Sequence, residues 1–187
     1  MIMQNPLPHD FMFWRLLRPL IILPGTVLAL IPGIILYGSK KSSLAANPAG
    51  PDHALFWIGL VTAAIGITLA AWTVSLFTRF GRGTPAPWDP PQTLVILGPY
   101  RYVRNPMITG ALLILTAETL LFRSWPLCAW LVLFFLANAV YIPLVEEKGL
   151  EKRFGNAYRQ YKKEVPRWIP RLHPWIPPGE MGDCNEL

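Results

Sequence analysis

Apolar residues in this chain run in long, nearly unbroken stretches. Pro19 to Gly38, Ala54 to Thr78, Ile108 to Phe122 and Trp125 to Val145 each form such a run. A helix needs roughly 20 mostly apolar residues to cross the hydrocarbon core of a bilayer. The second run has 25 residues and no ionisable side chain. The third is shorter and contains Glu118; at ~1.5 Å per residue it reaches about 22 Å against a core of ~30 Å. Ser124 suits an N-cap and Pro126 a first helical turn, so the third and fourth runs predict a helical hairpin with a tight turn. Pro143 is expected to kink or end the fourth run. Glu118 lies five residues before Arg123 and reads as structural, snorkelling or pairing with that arginine. The first run is longer than the ~7–15 residues of a signal sequence's apolar core. No clean small-x-small site follows it, so it reads as an uncleaved helix. The pattern predicts an all-α integral membrane bundle of four spans.

After Pro143 the pattern changes. Leu150, Phe154, Tyr158, Tyr161 and Val165 recur at steps of four, four, three and four, one apolar stripe of a helix. Lys148, Lys152, Arg159, Lys162 and Lys163 largely avoid that stripe, and Gly155-Asn156 is expected to interrupt the helix. A basic amphipathic helix of this kind lies on anionic lipid, which alone explains its charge. Glu146 stands four residues before Leu150 and is expected to face inward. Glu147 is then expected about 100° off the stripe. Beyond the helix, Pro166 to Pro178 holds five prolines with Trp168 and Trp175, which excludes a long helix and fits the membrane interface. From Gly179 onward fraying is expected. The final Cys184-Asn185-Glu186-Leu187 lacks the aliphatic middle pair of a prenylation box.

Composition narrows the class. Of 187 residues 52% are hydrophobic and 15% charged, against ~25% charged in an ordinary soluble domain. That excludes intrinsic disorder. Two cysteines exclude a disulfide scaffold, and His9, His53 and His173 show no metal-binding spacing. A net charge of +6 suits nucleic acid or an anionic membrane surface; the apolar content decides for the membrane and against nucleic acid. Lysine and arginine fall on two sides. Arg15, Arg18, Arg79, Arg82, Arg101, Arg104 and eight tail residues from Lys148 to Arg171 share one; Lys40, Lys41 and Arg123 are left on the other. Both termini and the loop before the hairpin should therefore be cytoplasmic. The organisation that follows is an arm (1–18), two spans (19–78), a functional region (79–178) and a flexible end (179–187). The functional region divides into a loop (79–107), the hairpin (108–145) and the tail (146–178).

The chemistry is concentrated at two places. A Pro- and Gly-rich segment leads into Gly98-Pro99-Tyr100-Arg101-Tyr102-Val103-Arg104-Asn105-Pro106-Met107, where the chain enters the membrane. Arginine binds carboxylate or phosphate in a bidentate fork, although positive-inside anchoring accounts for Arg101 and Arg104 without a ligand. Arg104 reads as a surface arginine whose loss would not unfold the protein. This loop is followed, after the hairpin, by Glu-Glu-x-x-Leu-x-x-x-Phe-Gly-x-x-Tyr-x-x-Tyr-x-x-x-Val-Pro from Glu146 to Pro166. The two pieces in this order resemble the integral-membrane methyltransferases related to isoprenylcysteine carboxyl methyltransferase and phospholipid N-methyltransferases. The resemblance covers residues 93 to 171.

That resemblance implies S-adenosylmethionine as cofactor, held on the cytoplasmic side between loop and tail. It implies Tyr100, Arg101, Arg104, Asn105, Pro106, Met107, Glu146, Glu147, Tyr158 and Tyr161 as cofactor-binding residues, with Glu146, Arg104 and Asn105 nearest the chemistry and no metal. The cofactor's own needs agree: an arginine for its carboxylate, a carboxylate or amide for its hydroxyls and ammonium, aromatic faces for its adenine. The substrate implied is a lipophilic small molecule or lipidated group entering sideways from the bilayer, accepting on a carboxylate, amine or thiol. Many relatives have histidine where this chain has Asn105, which cannot act as a base near neutral pH. Ile142 replaces an arginine of the prenylcysteine branch, which argues against a prenylcysteine carboxylate. An NADPH-dependent reductase of related architecture and a non-enzymatic membrane adaptor are the competing readings.

Overall fold

The computed structural model describes residues 24–40, 46–80 and 93–177. The predicted arm, the start of the first run, most of the Pro- and Gly-rich segment and the extreme C-terminus lie outside these residues. Within them the chain is helical, and no strand occurs. A π-turn, Thr26–Leu30, leads into α1, Ile31–Ser39. Then come α2, Ala54–Phe80, α3, Pro106–Phe122, and α4, Trp125–Tyr141. A π-turn, Ile142–Glu146, continues without a break into α5, Glu147–Glu164. The described part of each apolar run is helical, and among the described residues only Ala54–Leu76 and the run beginning at Trp125 are long and apolar enough to cross a membrane. Thr26–Ser39 and Pro106–Phe122 are shorter.

The centre of the bundle is the antiparallel pair α2 and α3. Small residues let their backbones meet: a Cβ on Gly66 would lie 2.9 Å from the Gly110 carbonyl oxygen, and one on Gly110 would lie 3.0 Å from that of Gly66. No side chain fits there. Close approach through small residues is how helices associate in lipid, where no hydrophobic effect drives them together. The outward faces remain uncovered by protein, with Trp57, Val61 and Ile65 on α2 and Leu133, Leu136 and Val140 on α4 all more than half exposed. Such apolar exposure in a soluble protein would be costly; in a bilayer it is the solvent-facing surface.

Two connections hold the bundle. Asn47 and Ala49 donate their backbone N–H groups to the carbonyls of Phe122 and Leu121 at 3.1 and 2.7 Å, satisfying two C-terminal carbonyls of α3. Trp130 Nε1 donates to the Val27 carbonyl at 3.2 Å, tying α4 to the first helical segment. The hairpin turn is as tight as expected, with Arg123 in the left-handed region at φ 46° and Pro126 in the first turn of α4. Ser124 takes the N-cap position without capping through its side chain, and its buried hydroxyl has no hydrogen-bond partner. Glu118 does not pair with Arg123: Arg123 is exposed, and Glu118 Oε2 is buried without a hydrogen-bond partner.

Pro143 does not end the helix. Proline lacks the N–H that an α-helix would bond four residues back. The local answer is a wider turn, in which the Glu147 N–H donates to the Ile142 carbonyl five residues earlier. The expected break at Gly155 is present. Its φ of 55° and ψ of −127° are non-helical and divide α5 in two, a conformation open to glycine and strained for any other residue.

Candidate functional site

The loop before α3 and the segment after α5 are built into each other. Residues Gly98–Arg101 form a 3-10 turn, and Tyr100 packs with Val95 against Leu76 of α2. Three backbone hydrogen bonds then fasten loop to tail. Arg104 N–H donates to the Pro166 carbonyl at 2.9 Å, Arg171 N–H to the Tyr102 carbonyl at 3.0 Å and Trp175 N–H to the Arg101 carbonyl at 2.9 Å. Tyr161 adds a buried hydroxyl that donates to the Tyr100 carbonyl at 2.8 Å. Tyr158, Tyr161 and Val165 form a core under this seam, with Leu94, Ile96, Leu150, Phe154 and Trp175 around it. The apolar stripe of α5 therefore packs on the loop that precedes the hairpin.

The centre of the seam is Glu147, only 2% exposed. Arg104 Nη1 donates to its Oε1 at 2.8 Å. Arg167 grips it with both arms of its fork, Nε to Oε1 at 2.8 Å and Nη2 to Oε2 at 3.0 Å. Lys162 Nζ lies 3.1 Å from Oε2 and shares itself with Glu151 at 2.8 Å. Burial pushes the Glu147 carboxyl up, but the hydrogen bonds of Arg167 and Lys162 and the charge of Arg104 outweigh it and hold the group below the usual carboxylate range. Three cations face two carboxylates here, which leaves an excess of positive charge before Glu146 is counted.

This arrangement corrects the expected roles of the glutamate pair. Glu147, not Glu146, is the buried member; Glu146 is exposed. The stripe is compatible with both, because Glu147 stands three residues before Leu150 and Glu146 four. The π-turn ending at Glu146 decides between them. Arg104 is likewise no surface arginine: its side chain is 10% exposed and lies against a buried carboxylate. Arg101 makes a different contact, Nε donating to the Ile96 carbonyl at 3.3 Å.

Two donors at the seam have no partner. Arg104 Nε and Asn105 Nδ2 are both buried without a hydrogen bond. Asn105 occupies the N-cap position of α3 but does not cap it through its side chain; Pro106 is buried beside it and Met107 partly buried. Adjacent buried donors without acceptors are rare in native proteins, and each asks for an explanation. Glu146 is accessible to solvent yet hemmed in. Burial first and the charge of Glu147 second raise its carboxyl above the usual range, and its charge is felt by Tyr100 and Tyr158. The Tyr158 hydroxyl meets Arg104, while burial and the Glu147 charge push it up to about 12. Burial raises Tyr100 and Tyr161 as well. The structure thus gathers Tyr100, Arg104, Asn105, Glu146, Glu147, Tyr158 and Tyr161 at one place, with the rings of Tyr100, Tyr158 and Tyr161 buried as packing. Among the described residues no group of side chains is arranged to hold a metal.

Arg167 and Lys162 were not singled out by the sequence, where they read only as tail cations. The available signal for Arg167 was the Val-Pro that ends α5. Pro166 turns the chain back over the loop, so the next residue lands on Glu147.

Residues 54–157 match the model of the family described as phospholipid methyltransferase. The chain is also similar to methanethiol S-methyltransferase 2 of Bradyrhizobium diazoefficiens, with 37% identity over 76 residues, 39% of this chain and 27% of that protein. The match therefore spans about a quarter of that relative's length.

Proposed function

The chain belongs to the phospholipid methyltransferase family, and from that premise we propose that this membrane methyltransferase uses S-adenosylmethionine and serves a lipophilic acceptor drawn from the bilayer. The observation that carries the reading is the pair of unpartnered buried donors, Arg104 Nε and Asn105 Nδ2, beside the ion pairs of Glu147. Both suit the cofactor's carboxylate, which takes charge-assisted hydrogen bonds of this kind. S-adenosylmethionine supplies an electrophilic methyl group on a sulfonium.

The chain's own residues would hold and orient. Glu147 keeps Arg104 extended toward the ligand instead of binding the ligand itself, since both its oxygens are taken. Glu146 is the carboxylate left open, suited to the cofactor's hydroxyls or ammonium. With its pKa raised it is also a better proton acceptor than an ordinary glutamate. Met107, partly buried, is left to offer an apolar face, while Tyr100, Pro106, Tyr158 and Tyr161 pack beneath and fix the loop. Arg101 steadies that loop through its backbone and side chain. Holding reactants in line is the main rate lever for methyl transfer, worth up to ~7–11 kcal/mol in favourable cases.

The acceptor is a carboxylate, amine or thiol. The relative's name points to a thiol in that protein, the family's to phospholipid. The partners are the bilayer and a lipophilic or lipidated substrate, with no nucleic acid. We read the protein as multi-pass, with loop, tail and both termini cytoplasmic.

Purified protein in liposomes, given methyl-labelled S-adenosylmethionine and lipid, amine, thiol and carboxylate acceptors in turn, tests the reading. Label passing to one acceptor class, and lost in Glu146→Gln, is expected. No transfer to any of them, with oxidation of NADPH instead, would overturn it.

A further inference from the structure

The segment that fastens the loop, from Val165 to Trp175, has a second face. The Trp168 ring lies 5.5 Å from that of Phe135 in α4. Phe135 is six residues before the end of α4, and no charged residue follows it until Glu146. At ~1.5 Å per residue that places it about 9 Å inside the end of α4 and roughly 16 Å from Glu146. Helical side chains lean toward the N-terminus, which carries the Phe135 ring further into the apolar run. Trp168 therefore lies alongside the part of α4 that a membrane covers.

The residues next to Trp168 have almost no protein around them. Ile169 is 79% exposed and Leu172 is 92% exposed. Pro170 and Pro174 stiffen the chain between and after them. Near Phe135, α4 and the following turn expose Leu136, Val140 and Leu144, so the aliphatic tip continues an apolar surface already assigned to lipid. Lys163, at the end of α5, is exposed on the charged face of that helix.

We propose that Ile169 and Leu172 form a wedge seated in the acyl region of the leaflet that holds the end of α4. The segment is then gripped from two sides: lipid on its aliphatic tip, and Glu147 on Arg167 at its base. This seat would exist whether or not the protein transfers methyl groups.

The test uses the full chain in phosphatidylcholine–phosphatidylglycerol vesicles, with Cys128→Ser and Cys184→Ser and one introduced cysteine carrying a nitrobenzoxadiazole label. Leu172→Cys is the probe and Ile169→Cys a second one; both positions are exposed, so neither change removes a core contact. Leu133→Cys on α4 gives the lipid reference and Lys163→Cys the aqueous one. The expected result at 169 and 172 is blue-shifted emission, quenching by doxyl-labelled lipid as at 133, and loss of quenching by iodide. Iodide quenching as at 163 would overturn the proposal. So would shielding from both lipid and iodide, because protein, either a second copy or another part of this chain, would then cover the tip. Cofactor plays no part in these readouts, so failure here is distinct from failure of the methyltransferase reading.

Discussion

A carboxylate that loses its water stays ionised only if something replaces that water, and Glu147 has three cations doing so. Breaking a buried pair by removing one partner leaves the others uncompensated and costs ~3–5 kcal/mol. Glu147→Gln should therefore lower the melting temperature markedly and weaken the hold on Arg104. The sign with pH follows from the lowered pKa. Stability from this carboxylate is complete above its unfolded value, near 4.5, and is lost as the pH falls through the folded value below it. Melting curves of wild type and Glu147→Gln should thus differ most near neutrality and converge on acidification below pH 4.5. Glu146 behaves in the opposite way. It is exposed, so Glu146→Gln should leave the melting temperature nearly unchanged while lowering initial rates of methyl transfer by at least ~10-fold, about 1.4 kcal/mol. Its pKa is raised, so an acid limb in the rate should appear above 4.5 in the wild type and vanish in the variant. The resemblance placed both glutamates at the site, and the spacing to Leu150 turned Glu146 inward. The structure buries Glu147 instead, because three and four residues before Leu150 are both on the stripe and the turn at Pro143 decides between them.

Elements meet here through what is missing from side chains. At Gly66 an added Cβ would lie 2.9 Å from the Gly110 carbonyl oxygen and 3.0 Å from the Ile114 backbone nitrogen. Neither atom can swing aside, so α2 and α3 must part. Gly66→Ala should destabilise by ~1–3 kcal/mol. Gly33→Ala in α1, where nothing lies within 4 Å, is the control and should leave the melting temperature unchanged or raised, since alanine favours helix. Helix existence was legible throughout, because four long apolar runs and one stripe at helical spacing leave little alternative. The hairpin turn and the break at Gly155 were legible from their punctuating residues. The course through Pro143 was not. A proline predicts a lost hydrogen bond, but whether a helix ends or widens into a π-turn depends on the carbonyls its neighbours can reach. The backbone pairing of Arg104, Arg171 and Trp175 with partners across the seam was also hidden, since such bonds leave no mark in residue type.

Across the whole molecule, the described residues form a bundle whose outer surface suits lipid and whose polar chemistry gathers at one end. Composition already argued against a soluble globule, and the two motifs, read together, located that end. What composition could not set is how many helices cross fully, because Thr26–Ser39 and Pro106–Phe122 fall short in length while standing beside helices that do not. Nor could it reveal that Arg104 Nε and Asn105 Nδ2 would be left as buried donors, a property of three-dimensional neighbours. Those two atoms lead to the most direct measurement: calorimetric titration of the detergent-solubilised protein with S-adenosylhomocysteine, in wild type and in Asn105→Ala. Asn105 Nδ2 has no protein partner, so its removal sacrifices no internal hydrogen bond of that amine, whereas a hydrogen bond to a charged ligand group is worth ~1.5–3 kcal/mol. The prediction is saturable binding to wild type, weakened about tenfold or more in Asn105→Ala with an unchanged melting temperature, and no binding of NADPH. A folded wild-type protein that takes up no S-adenosylhomocysteine, or an Asn105→Ala variant that binds it as tightly as wild type, would contradict it.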